Sequence, residues 1–187
     1  MSIAVTTRKF TVDEYHTMIR SGILHEDDRV ELLEGEIVEM SPIGKSHAAC
    51  VDNLAELFIV SLSGKARIRI QNPLVLDAFS EPQPDLMILK YREDAYRSDL
   101  PRPEDVFLLV EVGETSADRD RQLKLPLYAR AGIREVWLID LVNEVVERYL
   151  EPKGEAYQHI EKYVAGQEIS PQAFPDLRLA VKAILLR

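Results

Sequence analysis

Three side chains in this sequence could together do chemistry on a phosphate ester, and one of them, Glu111, sits badly with its surroundings. Glu111 lies in Phe107-Leu108-Leu109-Val110-Glu111-Val112, an apolar run of strand length. Apolar residues on both sides of its two-residue period mark a central strand buried on both faces. In a regular strand Glu111 shares a face with Phe107 and Leu109, where an ionised carboxylate requires a cation, a metal or hydrogen-bond donors. Asp85 opens a second such strand, Pro84-Asp85-Leu86-Met87-Ile88-Leu89. If the two strands are antiparallel neighbours, the start of one meets the end of the other. Carboxylates gathered there raise each other's pKa unless a cation intervenes. Mg²⁺ or Mn²⁺ suits such a pair, because it takes one or two carboxylates, keeps waters and accepts phosphate oxygens. It also activates water as a nucleophile. Lys124 follows on the next helix, sharing a face with Tyr128 at i+4. An ammonium beside a metal can orient the attacking water or meet developing negative charge. The competing assignments are a solvated turn acid for Asp85 and, for Lys124, a surface pair with Asp120 worth ~0.3–0.5 kcal/mol.

The elements that must hold these residues are legible in outline. Thr11-Val12-Asp13-Glu14 has capping-box spacing and opens a short helix with Tyr15, Met18 and Ile19 on its apolar stripe. Arg29–Met40 reads as a hairpin about Glu34-Gly35. After the breakers Ser41-Pro42-Ile43-Gly44, Ser46 is positioned to cap a helix running to Leu62, with His47, Val51, Leu54 and Phe58 on one face. Residues 66–76 read as a partly exposed strand, with Pro73 marking an interruption or an edge. Glu114–Asp118 opens a helix that ends at Ala131-Gly132, and Pro126 inside it demands a kink or a late start. Val136–Asp140 and Glu144–Leu150 form a closing hairpin, and the proline-bearing tail from Glu151 reads as irregular and peripheral. The expected fold class is α/β or α+β: a mixed sheet with helices packed on it.

Bulk properties narrow the functional classes. A length of 187 residues suits one domain, with a core over about 28–150 and a C-terminal extension over about 151–187. The 46% hydrophobic and 29% charged content argues against disorder. No apolar stretch approaches the ~20 residues that span a bilayer, and MSIAVTTRKF lacks the apolar segment of a secretion signal. A single cysteine, Cys50, excludes an intramolecular disulfide or a cysteine-cluster metal site and points to a reducing cytoplasm. His16, His25, His47 and His159 offer no helical pair for zinc. The net charge of −9 counts against a passive coat on nucleic acid, but not against an enzyme that meets phosphate through a metal and a local basic strip.

The order Pro84-Asp85, then Val110-Glu111-Val112, then a lysine resembles the PD-(D/E)XK nuclease superfamily, and more narrowly its Uma-type family of restriction-endonuclease-like proteins. Five stretches carry the likeness: Glu31–Val38, Glu81–Leu86, Leu109–Val112, Lys124–Ile133 and Glu135–Asp140. The resemblance implies a restriction-endonuclease-like α/β core with Asp85 and Glu111 as metal ligands. It also implies that Glu31 can complete the metal site and that His47 can approach it from a helix N-terminus. The superfamily lysine normally lies two residues after the glutamate, where this chain has Gly113. Lys124 is the residue that fits a lysine moved to the following helix.

The expected activity is a Mg²⁺- or Mn²⁺-dependent endonuclease acting on DNA, with Asp85, Glu111, Lys124, Glu31 and His47 at the site. A homodimer would suit cutting two strands. The rivals are a nuclease-fold binding protein without turnover and a hydrolase of small phosphate esters. Lys65, Arg67, Arg69, Arg119, Arg121 and Arg130 are the candidate contacts to nucleic acid. Cys50, Trp137 and Tyr128 read as packing residues, Tyr128 alternatively orienting Lys124, and Asp140 reads as a turn residue.

Overall fold

The apolar runs of the sequence become the inner strands of one sheet, and the amphipathic segments cover its two faces. In the computed structural model, which describes residues 7–25, 27–114 and 116–186, the elements follow in order. Helix α1 (Val12–Arg20) leads to the hairpin β1 (Val30–Leu33) and β2 (Glu36–Glu39), helix α2 (Lys45–Ser61), and strands β3 (Ala66–Ile70), β4 (Leu86–Lys90) and β5 (Val106–Gly113). The chain then makes a short helical turn α3 (Ala117–Arg119), a wide π turn (Asp120–Lys124) and helix α4 (Leu125–Arg130). Strands β6 (Glu135–Asp140), β7 (Val145–Lys153) and β8 (Ala156–Tyr163), the short pair β9 (Glu168–Ile169) and β10 (Leu179–Ala180), and helix α5 (Val181–Ile184) complete it. The secretion-signal reading falls partly on residues 1–6, outside the described residues. No described helix is long and apolar enough to cross a membrane.

The mixed sheet has the order β3-β4-β5-β6-β7-β8, with β5 and β6 parallel and every other neighbouring pair antiparallel. A parallel pair needs a crossover, and the segment from α3 through α4 supplies it. One face carries a core of Phe58, Leu86, Leu108, Val110, Trp137 and Ile139 under α2 and α5. The opposite face packs Met87, Leu109, Val136 and Leu138 under α4. Thr11 caps α1 with Glu14 in a complete capping box, as its spacing predicts.

Several expectations need correction. Helix α2 begins at Lys45 behind Gly44 with no side-chain cap, so Ser46 lies inside its first turn. Strand β3 stops at Ile70, because Gln71 takes a positive φ of 49° that turns the chain away before Pro73. A bulge between Ile88 and Leu89 leaves Phe107 out of the β4–β5 register and packs it against the α2 side, edge-on to Phe174. Glu111 therefore shares its face with Leu109 but not with Phe107. The tail is not irregular: β8 pairs along β7 from Lys153 to Val146, while Ile169, Leu179, Val181 and Ile184 are buried in the α2-side core. The prolines obscured this in the sequence, yet Pro152 sits within β7 opposite Tyr157 and Pro171 is itself buried.

The tail should therefore carry core stability. Ile184 is fully buried, and Ile184→Ala should cost about 2–5 kcal/mol, measured as a lowered midpoint in urea unfolding.

Candidate active site

The β4–β5 register sets the first contact. Leu86 pairs with Val110, so Asp85, just before β4, stands beside the Glu111-Val112 end of β5. The Val112 N–H donates to Asp85 Oδ2 at 2.9 Å. Gln71 Nε2 donates to Oδ1 at 3.2 Å, and His47 Nε2 lies 3.0 Å from the same oxygen. Burial acts to raise the Asp85 pKa, but the His47 hydrogen bond and charge, the Val112 N–H and the Lys124 ammonium outweigh it and hold the carboxyl below its ordinary value. The same hydrogen bond raises His47 against its own burial. His47 Nδ1 is buried without a hydrogen-bond partner among the described residues.

Lys124 enters from the other side of the cleft. Pro126 has no N–H to give the helical ladder, and the turn immediately before it widens to the π form. Such turns are rare and concentrate at functional sites. The widened turn buries both Asp120 and Lys124. Lys124 Nζ lies 3.2 Å from Glu111 Oε1 and 3.2 Å from Glu31 Oε2. The surface-pair alternative for Lys124 is thereby replaced by a buried one. Burial alone would lower the lysine pKa, but the charges of Glu111, Glu31, Asp120 and Asp85 raise it instead. Tyr128, one helical turn on, donates to Glu111 Oε1 as well. Even so, burial and the charges of Asp85 and Asp120 push Glu111 well above the usual carboxylate range, against the pull of Lys124 and Tyr128.

Glu31 arrives on β1, outside the main sheet. It is held by the Gln83 N–H, which donates to Oε2 at 3.1 Å, while Leu32 bridges Glu81 beside it. The cleft thus gathers all five expected side chains: Glu31, His47, Asp85, Glu111 and Lys124. Asp120, Arg29 and Arg119 also line it. Sequence reasoning gave Asp120 only as a surface partner of Lys124, whereas it is a buried carboxyl raised chiefly by burial, against Lys124 and the Ser116 hydroxyl. Its signal was present: it stands four residues before Lys124 and so shares that helix face.

The position two residues after Glu111 has no room for a side chain. A Cβ added at Gly113 would stand 2.6 Å from Ala117 Cβ and 2.7 Å from the Ala117 Cα and N. The chain of α3 folds directly over the strand end, leaving no space for any side chain there.

Among the described residues, no three His, Cys, Asp or Glu side chains are grouped closely enough to form a ready metal site. A Mg²⁺-type ion needs only one or two carboxylates with waters and substrate oxygens, and Asp85 and Glu111 are the pair that the strands bring together. The donor chemistry fits a hard divalent cation: five carboxyls, from Glu31, Asp85, Glu111, Glu114 and Asp120, line a cleft in which Glu111 is costly to ionise.

The candidate nucleic-acid contacts divide. Arg119 lines the cleft and donates to the Glu39 carbonyl at 3.0 Å. Arg121 is engaged by Asp118, Asp140 and Glu147, and Arg130 by Glu34 and Glu155. Neither guanidinium faces the cleft. Arg67 lies over the Tyr91 ring and donates to the Arg92 carbonyl. Asp140 is the last residue of β6 and also accepts from Asn143, so its turn role is shared with an ion pair.

A family model described as putative restriction endonuclease matches residues 12–182. The fold is similar to the crystal structure of a putative nuclease belonging to DUF820 from Anabaena variabilis, with a TM-score of 0.74 and 17% identity over 95% of this chain and 98% of that one. A type IIG restriction endonuclease, BpuSI, aligns with a TM-score of 0.45 and 16% identity over 79% of this chain and 16% of that one. No curated protein matches the chain.

Two stability measurements check this geometry. Removing one partner of a buried ion pair strands the other charge, so Lys124→Met should cost about 3–5 kcal/mol at pH 8. Lys124 holds the raised pKa values of Glu111 and Asp120 down against burial, so without it both acids rise further and the variant gains more stability than the native chain as pH falls. The deficit of Lys124→Met should therefore shrink toward pH 5 in denaturant titrations, and a deficit independent of pH would contradict the arrangement. Gly113→Ala should lower stability by about 1–3 kcal/mol through overpacking, read from the same titrations.

Proposed function

Because this chain belongs to the Uma2 family of putative restriction endonucleases, we propose that it is a Mg²⁺- or Mn²⁺-dependent endonuclease that hydrolyses phosphodiester bonds in DNA. The observation that supports this most directly is the Lys124 ammonium, 3.2 Å from Glu111 and 3.2 Å from Glu31, in the cleft that also holds Asp85.

Asp85 and Glu111 would hold the metal, with Glu31 as a further carboxylate within reach of the same lysine. When bound there, the metal would supply Lewis acidity toward a phosphate oxygen and a lowered pKa to water. His47, Gln71 and the Val112 N–H fix the Asp85 carboxylate, so its orientation precedes substrate binding. Lys124 positions the attacking water and meets the negative charge that develops on the phosphoryl oxygens. Tyr128 holds Glu111 from the helix side. Arg29 and Arg119 on the cleft wall meet the phosphates that flank the cut. Cleavage of both strands by a chain with one such site is served by a homodimer, and a lone buried Cys50 suits the cytoplasm.

A second reading, a nuclease-fold protein that binds nucleic acid or metal without turnover, is favoured by the net charge of −9 and by the glycine standing two residues after Glu111. The two readings separate on supercoiled plasmid and single-stranded DNA with Mg²⁺, Mn²⁺ or EDTA. Metal-dependent cutting should disappear in Asp85→Asn and fall ~10²–10³-fold in Lys124→Ala. Cutting that persists in Asp85→Asn would remove the assigned site. Calorimetric Mn²⁺ binding that needs Asp85, without cutting of either DNA, would favour the binding protein.

A further inference from the structure

Arg121 makes no contribution to the cleft wall, yet it is the most heavily engaged cation beside it. We propose that Arg121 is a positioning residue for the cleavage reaction, locking the π turn onto the sheet end so that Lys124 projects at Glu111 and Glu31. This rests on the nuclease reading given above.

The geometry has three parts. The guanidinium places Nη2 2.7 Å from Asp140 Oδ2 and Nε 2.9 Å from Glu147 Oε2, with Nη1 2.7 Å from Asp118 on the exposed side. Asp140 and Glu147 are buried and stand on the sheet face that bears Glu111. Gly113 pairs with Asp140, Glu111 with Leu138, and Leu138 with Glu147. Arg121 is thus fastened to β6, which neighbours the strand carrying the candidate ligand, and to β7 beyond it.

The sockets that receive it are themselves fixed. Glu147 also accepts from Tyr149 Oη at 2.6 Å and faces Lys162 Nζ at 2.8 Å, while Asp140 accepts two hydrogen bonds from Asn143 at 2.9 Å. A planar guanidinium with five donors can fill two carboxylate sockets at once, which an ammonium cannot match in geometry. The held segment needs outside support. It is a π turn, and Pro126 directly after it lacks the N–H that would continue the helical ladder. Lys124 lies three residues beyond the anchor, so a shift of the turn moves its ammonium relative to β5.

A displacement of about 1 Å can cost ~10²-fold in rate, and that sets the expected effect. The test compares the native chain with Arg121→Gln, Arg121→Lys and the charge-balanced Arg121→Gln/Glu147→Gln. Plasmid nicking, Mn²⁺ calorimetry, thermal melting and amide hydrogen exchange are read on each. The proposal expects the double variant to recover the melting temperature that Arg121→Gln loses. It should nevertheless keep a kcat ~10²-fold below native, with KM and Mn²⁺ affinity within about twofold, and Arg121→Lys should recover part of kcat. Return of kcat together with the melting temperature in the double variant would show a purely structural ion pair and overturn the proposal. Hydrogen exchange gives a reading independent of catalysis. Amides 121–125 should exchange at least ~10-fold faster in the double variant while those of β6 are unchanged, and unchanged exchange at 121–125 overturns the positioning role. A native chain that neither cuts DNA nor binds Mn²⁺ refutes the nuclease reading, whereas the exchange result still decides whether Arg121 holds the turn.

Discussion

One ammonium group buried among carboxylates is the constraint around which this molecule is arranged. Lys124 and Glu111 are each almost withdrawn from water, and neither charge would be tolerable alone at that depth. Their mutual compensation, shared with Glu31, lets an apolar strand core end in a polar cleft without a penalty that would unfold the chain. The balance is incomplete, because Glu111 and Asp120 both remain harder to ionise than free carboxyls. The cleft therefore still has room for positive charge.

Each side chain of that cluster comes from a different element, so the cluster depends on the relation between elements. Antiparallel pairing of β4 with β5 places Asp85 beside Glu111, and the crossover from β5 to β6 brings Lys124 back over the same sheet face. The β1–β2 hairpin delivers Glu31 from outside the main sheet, tied by Gln83 and by the Leu32–Glu81 bridge. Helix α2 belongs to the opposite face, yet its first turn reaches round the sheet end to put His47 on Asp85. The fold thus supplies convergence, while hydrogen bonds from the backbone and from Tyr128 fix the orientation of the acids.

Much of this was legible in the sequence because burial and charge conflict openly at Glu111. A carboxylate in a run such as Leu108–Val112 demands a partner, and the Asp85 strand and Lys124 helix were the elements able to supply one. The capping box at Thr11 and the hairpin about Gly35 are local codes, and both appear as read. What failed depended on longer range. Phe107 changed face because of a bulge, which leaves no residue-type mark. The strands and buried residues after Glu151 were masked by prolines, which read as breakers although Pro152 is accommodated within the outer strand pair. Arg121 looked like a phosphate contact until the folded chain set Asp140 and Glu147 against it. Asp120 was read as a surface partner, since its depth depends on how the turn packs against the sheet.

Gly113 carries a mechanical consequence. The backbone of α3 lies directly against this bare glycine at the end of β5. A side chain at 113 and the present path of α3 exclude each other, so any larger residue there must push away the segment that leads to Lys124. The two positions are therefore coupled through the path of the chain, although ten residues separate them.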